Sequence, residues 1–110
     1  EAEAWDGAAL IIAYAPCIAH GIDMRDVQEI EKKAVQCGYF PLYRYHPANG
    51  LMLDSKAPDG DFQAFLMRQG RFAALRRSDP VKSETLCKMA EEAARRRWNL
   101  LKMLKNREMP

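Results

Sequence analysis

The sequence lacks most of the motifs by which a catalytic or nucleotide-binding protein is recognised. It has no Gly-rich phosphate loop, no Cys-x-x-Cys pair and no Gly-Asp-Gly motif followed by asparagines. Its longest apolar run, Ala8 to Ala15, is far shorter than the roughly 18 residues that a membrane-spanning helix requires. We therefore expect neither a phosphate-binding loop nor a membrane partner.

Cysteine is also scarce. Cys17, Cys37 and Cys87 are an odd number and lie far apart, which argues against a disulfide framework. The segment Glu1–Ala4 is acidic where an export signal requires positive charge. Because a reducing compartment keeps thiols free, the sequence predicts a cytoplasmic protein with free cysteines. Glu1–Trp5 is typical of the last turns of a helix, so we expect a piece of a longer polypeptide.

The composition fits one small globular domain, with 110 residues of which 48% are hydrophobic and 29% charged. The charge is uneven, because residues 1–66 hold 5 basic and 10 acidic residues whereas residues 67–110 hold 12 and 5. A basic C-terminal third could contact nucleic acid or an acidic partner. No nucleic-acid reading motif accompanies it, so a solvated helix surface is the preferred interpretation and we expect no nucleic-acid partner.

Hydrophobic periodicity predicts an α/β chain with a helical tail. The expected elements, in order, are a strand at Leu10–Ala15, a helix at Asp23–Cys37, strands at Tyr39–His46 and Leu51–Leu53, short helices from Asp61 and at Arg71–Arg77, and a long helix from Val81 to about Asn106. The unbroken apolar character of the first strand is typical of a parallel sheet that is covered on both faces by helices. Gly70 is expected to end or kink the first short helix.

Capping signals support the two main helices. Asp23 is predicted to cap the first one, and Gly38 fits the left-handed residue that closes it. Asp79 followed by Pro80 marks the start of the long helix. Its expected core-facing stripe consists of Leu86, Met89, Ala90, Ala93, Trp98, Leu101 and Leu104.

Cys17 is the chief candidate for chemistry, because it follows the first strand and Pro16 directly. With His20 it makes a Cys-x-x-His pair that could supply two zinc ligands, although a zinc site needs about four. A nucleophile activated by His20 and a small buried residue are the other interpretations, and the pattern alone leaves them open. Cys37 and Cys87 are expected to be packed or idle thiols. His46 is expected in a loop, and Arg95–Arg97 on a solvated helix face.

Several motifs in collinear order resemble the C-terminal end of pyruvate:ferredoxin (flavodoxin) oxidoreductase. They are Glu-Ala-Glu-Ala-Trp-Asp-Gly (1–7), Leu-Ile-Ile-Ala-Tyr-Ala-Pro-Cys-Ile-Ala-His-Gly (10–21), Gly-Tyr-Phe-Pro-Leu-Tyr-Arg-Tyr (38–45), Leu-Asp-Ser-Lys-Ala-Pro (53–58), Phe-Leu-Met (65–67) and Arg-Phe (71–72). The resemblance covers nearly the whole chain. It departs from the family at residues 46–51, where a tight turn replaces a longer insertion.

The resemblance implies a partial thiamine-diphosphate-binding fold with a parallel sheet, divided into a strand-and-helix part (1–58) and a helical tail (59–110). The family decarboxylates pyruvate on thiamine diphosphate and Mg²⁺ with coenzyme A as acyl acceptor, and passes electrons through [4Fe-4S] clusters to ferredoxin or flavodoxin. By position, Cys17 matches the fourth ligand of a [4Fe-4S] cluster. The resemblance assigns no role to His20, Cys37 or Cys87, and no catalytic residue to this chain.

The resemblance further implies a large parent enzyme, expected to be a homodimer, of which this segment alone would be inactive. A relative that reduces NADP⁺ is an alternative within the family. A non-catalytic α/β module that binds a partner through its basic long helix is the alternative of another class.

Overall fold

The computed structural model describes residues 1–107. Its elements are 3₁₀ turns at Ile18–His20 and Met24–Asp26, helix α1 (Val27–Gln36), strands β1 (Tyr43–His46) and β2 (Gly50–Leu53), and helices α2 (Phe62–Met67), α3 (Gly70–Ser78) and α4 (Pro80–Lys105). The chain is thus α/β with a helical tail, as predicted. The sheet within residues 1–107 has only two strands, and they are antiparallel.

The hairpin forms at Asn49-Gly50, a dipeptide that is typical of tight turns. Tyr43 pairs with Leu53 and His46 pairs with Gly50, and Gly50 takes a φ of +73° that few other residues adopt. Beside the hairpin, Arg44 donates from Nε and Nη2 to the carboxylate of Asp54, each bond 2.9 Å long. These bonds hold the pKa of Asp54 below its usual range. Both predicted strands are confirmed, but the first is shorter than predicted because it begins at Tyr43 rather than Tyr39, and the second is one residue longer because it begins at Gly50.

The first main helix ends at its predicted cap, but it begins at Val27, and the predicted N-cap Asp23 caps the 3₁₀ turn that precedes it. The carboxylate of Asp23 accepts the backbone N–H of Arg25 at 2.9 Å, and a 3₁₀ turn leads from there into α1. On the outer face, Lys33 pairs with Glu29 at 3.0 Å. Gly38 follows the last turn with a φ of +83°, which closes the helix as expected.

Helix α4 begins at the predicted cap, where the carboxylate of Asp79 accepts the backbone N–H of Lys82 at 3.1 Å. We expect Asp79→Ala to lower the free energy of unfolding by about 0.5–2 kcal/mol, because helix N–H groups lose their acceptor. Urea denaturation of the 110-residue chain, followed by circular dichroism at 222 nm, measures the change. Asp59→Ala is the matched control, since the Asp59 side chain lies exposed in a loop. Equal losses in both variants would contradict the capping role.

The core lies between α1, α2 and α4. Its buried members are Ile30, Ala34, Cys37, Phe62, Phe65, Leu66, Cys87 and Ala94. The predicted stripe of α4 is partly wrong, because the buried side chains are Ser83, Cys87, Ala94, Trp98 and Leu101. Of the predicted stripe only Trp98 and Leu101 are buried, and the other five members are exposed: Leu86, Met89, Ala90, Ala93 and Leu104. The helix carries apolar side chains on two faces, and its packing against α2, α3 and β2 covers only one of them.

The predicted strand at Leu10–Ala15 is wrong for the described part of the chain. These residues have no regular secondary structure, and Leu10, Ile11 and Ile12 are 84%, 76% and 68% exposed. No strand of residues 1–107 lies beside them to complete a hydrogen-bonded ladder. The parallel sheet that this strand implied is likewise not present within those residues.

Two smaller predictions also need correction. Glu1–Trp5 forms a turn rather than the end of a helix, with the N–H of Trp5 donating to the carbonyl of Ala2 at 3.3 Å. Gly70 does not end or kink α2, which stops at Met67; it is the first residue of α3.

Among the helices of residues 1–107, none is long and apolar enough to cross a membrane.

Candidate functional site

The Cys17 thiol is exposed at the start of a tight 3₁₀ turn. Its Sγ accepts the backbone N–H of Ala19 at 3.4 Å, and the carbonyl of Cys17 accepts the N–H of His20 at 2.9 Å. The turn closes on Gly21, whose φ is +75° and whose N–H donates to the carbonyl of Ile18 at 2.9 Å. Residues 17–21 are therefore one hydrogen-bonded unit that presents a thiol to the outside.

Aromatic packing fixes the chain just before this turn. Pro16 is buried, and the ring of Tyr14 packs against those of Tyr39 and Phe40, with centroids 5.8 and 5.6 Å away. Tyr39 in turn packs against Phe65 of the core at 4.9 Å. Burial raises the pKa of the Tyr14 hydroxyl, and the nearby Tyr39 adds to the shift. The thiol is thus exposed, whereas the segment that leads to it is anchored in the core.

A second anchor comes from the start of α3. The N–H of Gly70 donates to the carbonyl of Gly21 at 2.9 Å. Next to it, Arg71 donates from Nε to the side-chain oxygen of Gln69 at 3.0 Å and lies over the ring of Phe72, 4.5 Å from its centroid. Gln69 is only 1% exposed, so the junction between α2 and α3 is a rigid support for the Cys17 turn.

His20 is not a partner of Cys17. The backbone N–H of His20 bonds to Cys17, but no side-chain hydrogen bond joins the two within residues 1–107. Nδ1 of His20 is one of three buried side-chain atoms without a hydrogen-bond partner in that range; the others are Oη of Tyr14 and Nε2 of Gln69. The described residues also hold no group of three or more side chains that could bind a metal. Neither a self-contained zinc site nor an activated nucleophile forms here.

The other candidate residues have structural surroundings. Cys37 and Cys87 are buried in the core, as expected of packed thiols, and no disulfide joins any of the three cysteines. His46 lies in the hairpin, where its Nδ1 accepts the N–H of Ala48 at 3.0 Å. In the basic run of α4, Arg97 donates to the carbonyl of Tyr39 at 2.9 Å. None of these residues contributes to the exposed thiol of Cys17.

The three thiols should differ in reactivity once any bound metal is removed. We expect iodoacetamide to alkylate Cys17 first, because it is exposed, whereas Cys37 is buried and burial raises the pKa of its thiol. A higher pKa leaves a smaller fraction of the thiol as the reactive thiolate. Peptide mass spectrometry over a time course of labelling measures the order. Labelling of Cys37 as fast as Cys17 would contradict the described burial.

The chemistry of Cys17 fits the role of one ligand of an iron–sulfur cluster. Thiolates are the ordinary ligands of such clusters, and a backbone N–H that donates to sulfur tunes them. Cys17 offers both features, and it is the one exposed cysteine of the described residues. A cavity of about 240 Å³ lies between β2 and α4, lined by Leu53, Trp98 and Lys102 among others. That volume is below the roughly 300–1,000 Å³ typical of ligand pockets.

The sequence predicts Cys17 as the candidate residue but does not predict the residues that support its turn. Gly21 has a local signal, because a glycine directly after a short turn is typical of a left-handed closing residue. Gly70, Gln69 and Arg71 have none that points to Cys17, since they lie about 50 residues away in sequence and meet the turn only through the fold.

No protein-family model matches the sequence. Among curated proteins, the chain is 47% identical to pyruvate:ferredoxin oxidoreductase of Moorella thermoacetica, over 94% of this chain and 9% of that protein. It is 43% identical to pyruvate-flavodoxin oxidoreductase of Klebsiella pneumoniae, over 98% of this chain and 10% of that protein. It is also 40% identical to the mitochondrial pyruvate dehydrogenase [NADP(+)] of Euglena gracilis, over 90% of this chain and 6% of that protein.

The chain spans only about a tenth of the length of the curated relatives it matches. Within that span, identities of 36–47% extend over nearly the whole chain. The chain belongs to the pyruvate:ferredoxin and pyruvate:flavodoxin oxidoreductase family, of which it represents one small segment.

Proposed function

We propose that this segment is the C-terminal part of an oxidoreductase that converts pyruvate and coenzyme A to acetyl-CoA and CO₂. The reaction releases one proton and two electrons per pyruvate, and the electrons pass through [4Fe-4S] clusters to ferredoxin or flavodoxin. The observation that carries the proposal is the identity to proteins of those names over nearly the whole chain. The reaction belongs to the complete polypeptide, and this segment alone is not expected to catalyse it.

Within that enzyme, Cys17 is proposed as one ligand of a [4Fe-4S] cluster, with the remaining ligands outside residues 1–107. Its exposed Sγ and the N–H···S bond from Ala19 support this role. When bound, the cluster supplies one-electron transfer. The contribution of the chain is to hold the thiol, because the turn of residues 17–21 is closed by its own hydrogen bonds and is anchored by Tyr14 and Gly70.

The exposed apolar run is the feature that supports a larger fold. Leu10, Ile11 and Ile12 expose most of their surface, and contiguous apolar surface in water marks an interaction site. We propose that Leu10–Ala15 completes a parallel sheet of a thiamine-diphosphate-binding domain, with residues 1–58 as its strand-and-helix part and 59–110 as its helical tail. Thiamine diphosphate, Mg²⁺ and coenzyme A would then bind to other parts of the polypeptide.

The proposed enzyme is a cytoplasmic homodimer that transfers its electrons to a soluble carrier. One comparison supports NADP⁺ as an alternative electron acceptor, because the Euglena relative is named a pyruvate dehydrogenase [NADP(+)] and is 40% identical to this chain. In that case the extra domain that reduces NADP⁺ would lie outside the segment, and the role of Cys17 would be the same.

Purification of the complete polypeptide under anaerobic conditions tests the function. We expect methyl viologen to be reduced only when both pyruvate and coenzyme A are present, with acetyl-CoA and CO₂ formed in equal amounts. Replacing the dye by ferredoxin, flavodoxin or NADP⁺ in separate assays identifies the acceptor. Iron-free protein with no reaction in any assay would overturn the proposal in favour of a non-catalytic module.

A further inference from the structure

Gly21 and Gly70 contact each other backbone to backbone, and we call this contact the glycine clasp. The N–H of Gly70 donates to the carbonyl of Gly21 at 2.9 Å. A Cβ atom on Gly21 would lie 2.6 Å from Cα of Gly70, and one on Gly70 would lie 3.1 Å from both Cα and the carbonyl oxygen of Gly21. Neither position therefore accommodates a side chain without movement of the backbone.

The clasp joins two units that are each rigid. On one side, the turn from Cys17 to Gly21 is closed by hydrogen bonds between its own residues. On the other side, Gly70 is the first residue of α3, which packs against α4, and it follows the fully buried Gln69. A displacement of α3 at Gly70 is thus transmitted to the turn, whose first residue is Cys17.

We propose that Gly70 is a positioning residue for the cluster, acting through Gly21 and the turn to hold the Cys17 thiol in place. The inference rests on the proposed function, in which Cys17 is a cluster ligand. The reduction potential and lability of an iron–sulfur cluster depend on hydrogen bonds to its sulfur atoms and on solvent exposure. Both quantities change when the turn moves, because the N–H···S bond of Ala19 belongs to it.

Gly70→Ala and Gly60→Ala are a matched pair of variants. A Cβ on Gly60 would lie 3.1 Å from the backbone N of Cys37 and from the carbonyl carbon of Gln36. The shortest contact of the added Cβ is the same as at Gly70, 3.1 Å, but the crowded atoms belong to the C-terminal end of α1 rather than to the Cys17 turn. Both variants should lower thermal stability to a similar extent, whereas only Gly70→Ala should alter the cluster.

The experiment uses the complete, cluster-loaded polypeptide and has three readouts. They are the rate at which a ferrous chelator removes iron, the electron paramagnetic resonance signal of the reduced cluster with its midpoint potential, and the melting temperature. For Gly70→Ala we expect iron to be released at least about tenfold faster than from the wild-type protein, together with a shifted midpoint potential of the cluster. For Gly60→Ala we expect a lower melting temperature with an unchanged potential. Identical cluster properties in the two variants would overturn the inference.

Two further measurements separate the possible failures. If Cys17→Ser keeps all its iron, the proposed ligand role of Cys17 fails and the clasp inference fails with it; if that variant loses iron while Gly70→Ala behaves like the wild-type protein, only the clasp inference fails. Should Gly70→Ala not accumulate as folded protein, hydrogen exchange of the unmodified protein gives the same test. On removal of iron, we expect amides of residues 17–21 and 69–71 to exchange faster together. Faster exchange in 17–21 alone would exclude the clasp.

Discussion

Cys17→Ser is expected to remove the iron of one [4Fe-4S] cluster, about four iron atoms per chain, from the complete polypeptide. The visible absorbance of the iron–sulfur clusters and the rate of pyruvate-dependent dye reduction should fall with it. The physical reason is that a serine hydroxyl does not supply the soft, readily ionised sulfur that these clusters bind. The exposed position of the side chain means that the exchange itself leaves the core unchanged.

Cys87→Ser is the control for this result, because it removes the same sulfur atom from a buried position. Cys87 lies inside α4, with its Sγ 4.0 Å from Oγ of Ser83. We expect this variant to keep its full iron content and to lose some stability, since a more polar atom is placed in the core. Iron analysis and absorbance spectra of both proteins, purified anaerobically side by side, make the comparison. Full iron content and activity in Cys17→Ser would refute the ligand role.

Features that depend on neighbouring residues could be predicted from the sequence. The capping roles of Asp79 and Gly38 each depend on residues within four positions along the chain, and both are confirmed. Asp23 is a capping residue as predicted, but it caps the 3₁₀ turn before α1 rather than α1 itself. The hairpin was predictable in the same way, because Asn49-Gly50 specifies a turn and the flanking residues favour strands. Local signals of this kind give the order of most elements and the α/β class.

Features that depend on a distant partner could not be predicted. The run Leu10–Ala15 has the composition of a buried strand, but whether it becomes one depends on a neighbouring strand, and residues 1–107 contain none beside it. Helix α4 has apolar side chains on two faces, so periodicity does not determine that Trp98 is covered and Leu86 is not. The contact of Gly21 with Gly70 joins positions about 50 residues apart, which no local pattern indicates.

Phe65→Ala is expected to be the most destabilising substitution in the core among those considered, at about 3–5 kcal/mol. Phe65 is only 3% exposed, and its ring lies 4.9 Å from that of Tyr39. These two rings belong to an aromatic cluster that also contains Tyr14, Phe40 and Phe62. Truncation removes this contact and leaves a cavity that α1, α2 and α4 cannot fill without moving. Domains of this size are stable by about 5–15 kcal/mol in total. If the total stability lies at the lower end of this range, the variant should be partly unfolded at room temperature. Urea denaturation of the 110-residue chain, followed by circular dichroism, measures the loss.

The consequence of that cavity should extend to the Cys17 turn, since Phe65 supports Tyr39 and Tyr39 supports Tyr14. Leu86→Ala is the control, because this leucine is 42% exposed on the uncovered face of α4 and should change stability by no more than about 0.5 kcal/mol. In the complete polypeptide, Phe65→Ala should also release cluster iron faster than Leu86→Ala does. If the two variants lost equal stability, the aromatic cluster would not be the core of this segment. If stability fell but iron release stayed the same, the path from Phe65 through Tyr14 would not support the thiol, and the glycine clasp would be left as its anchor.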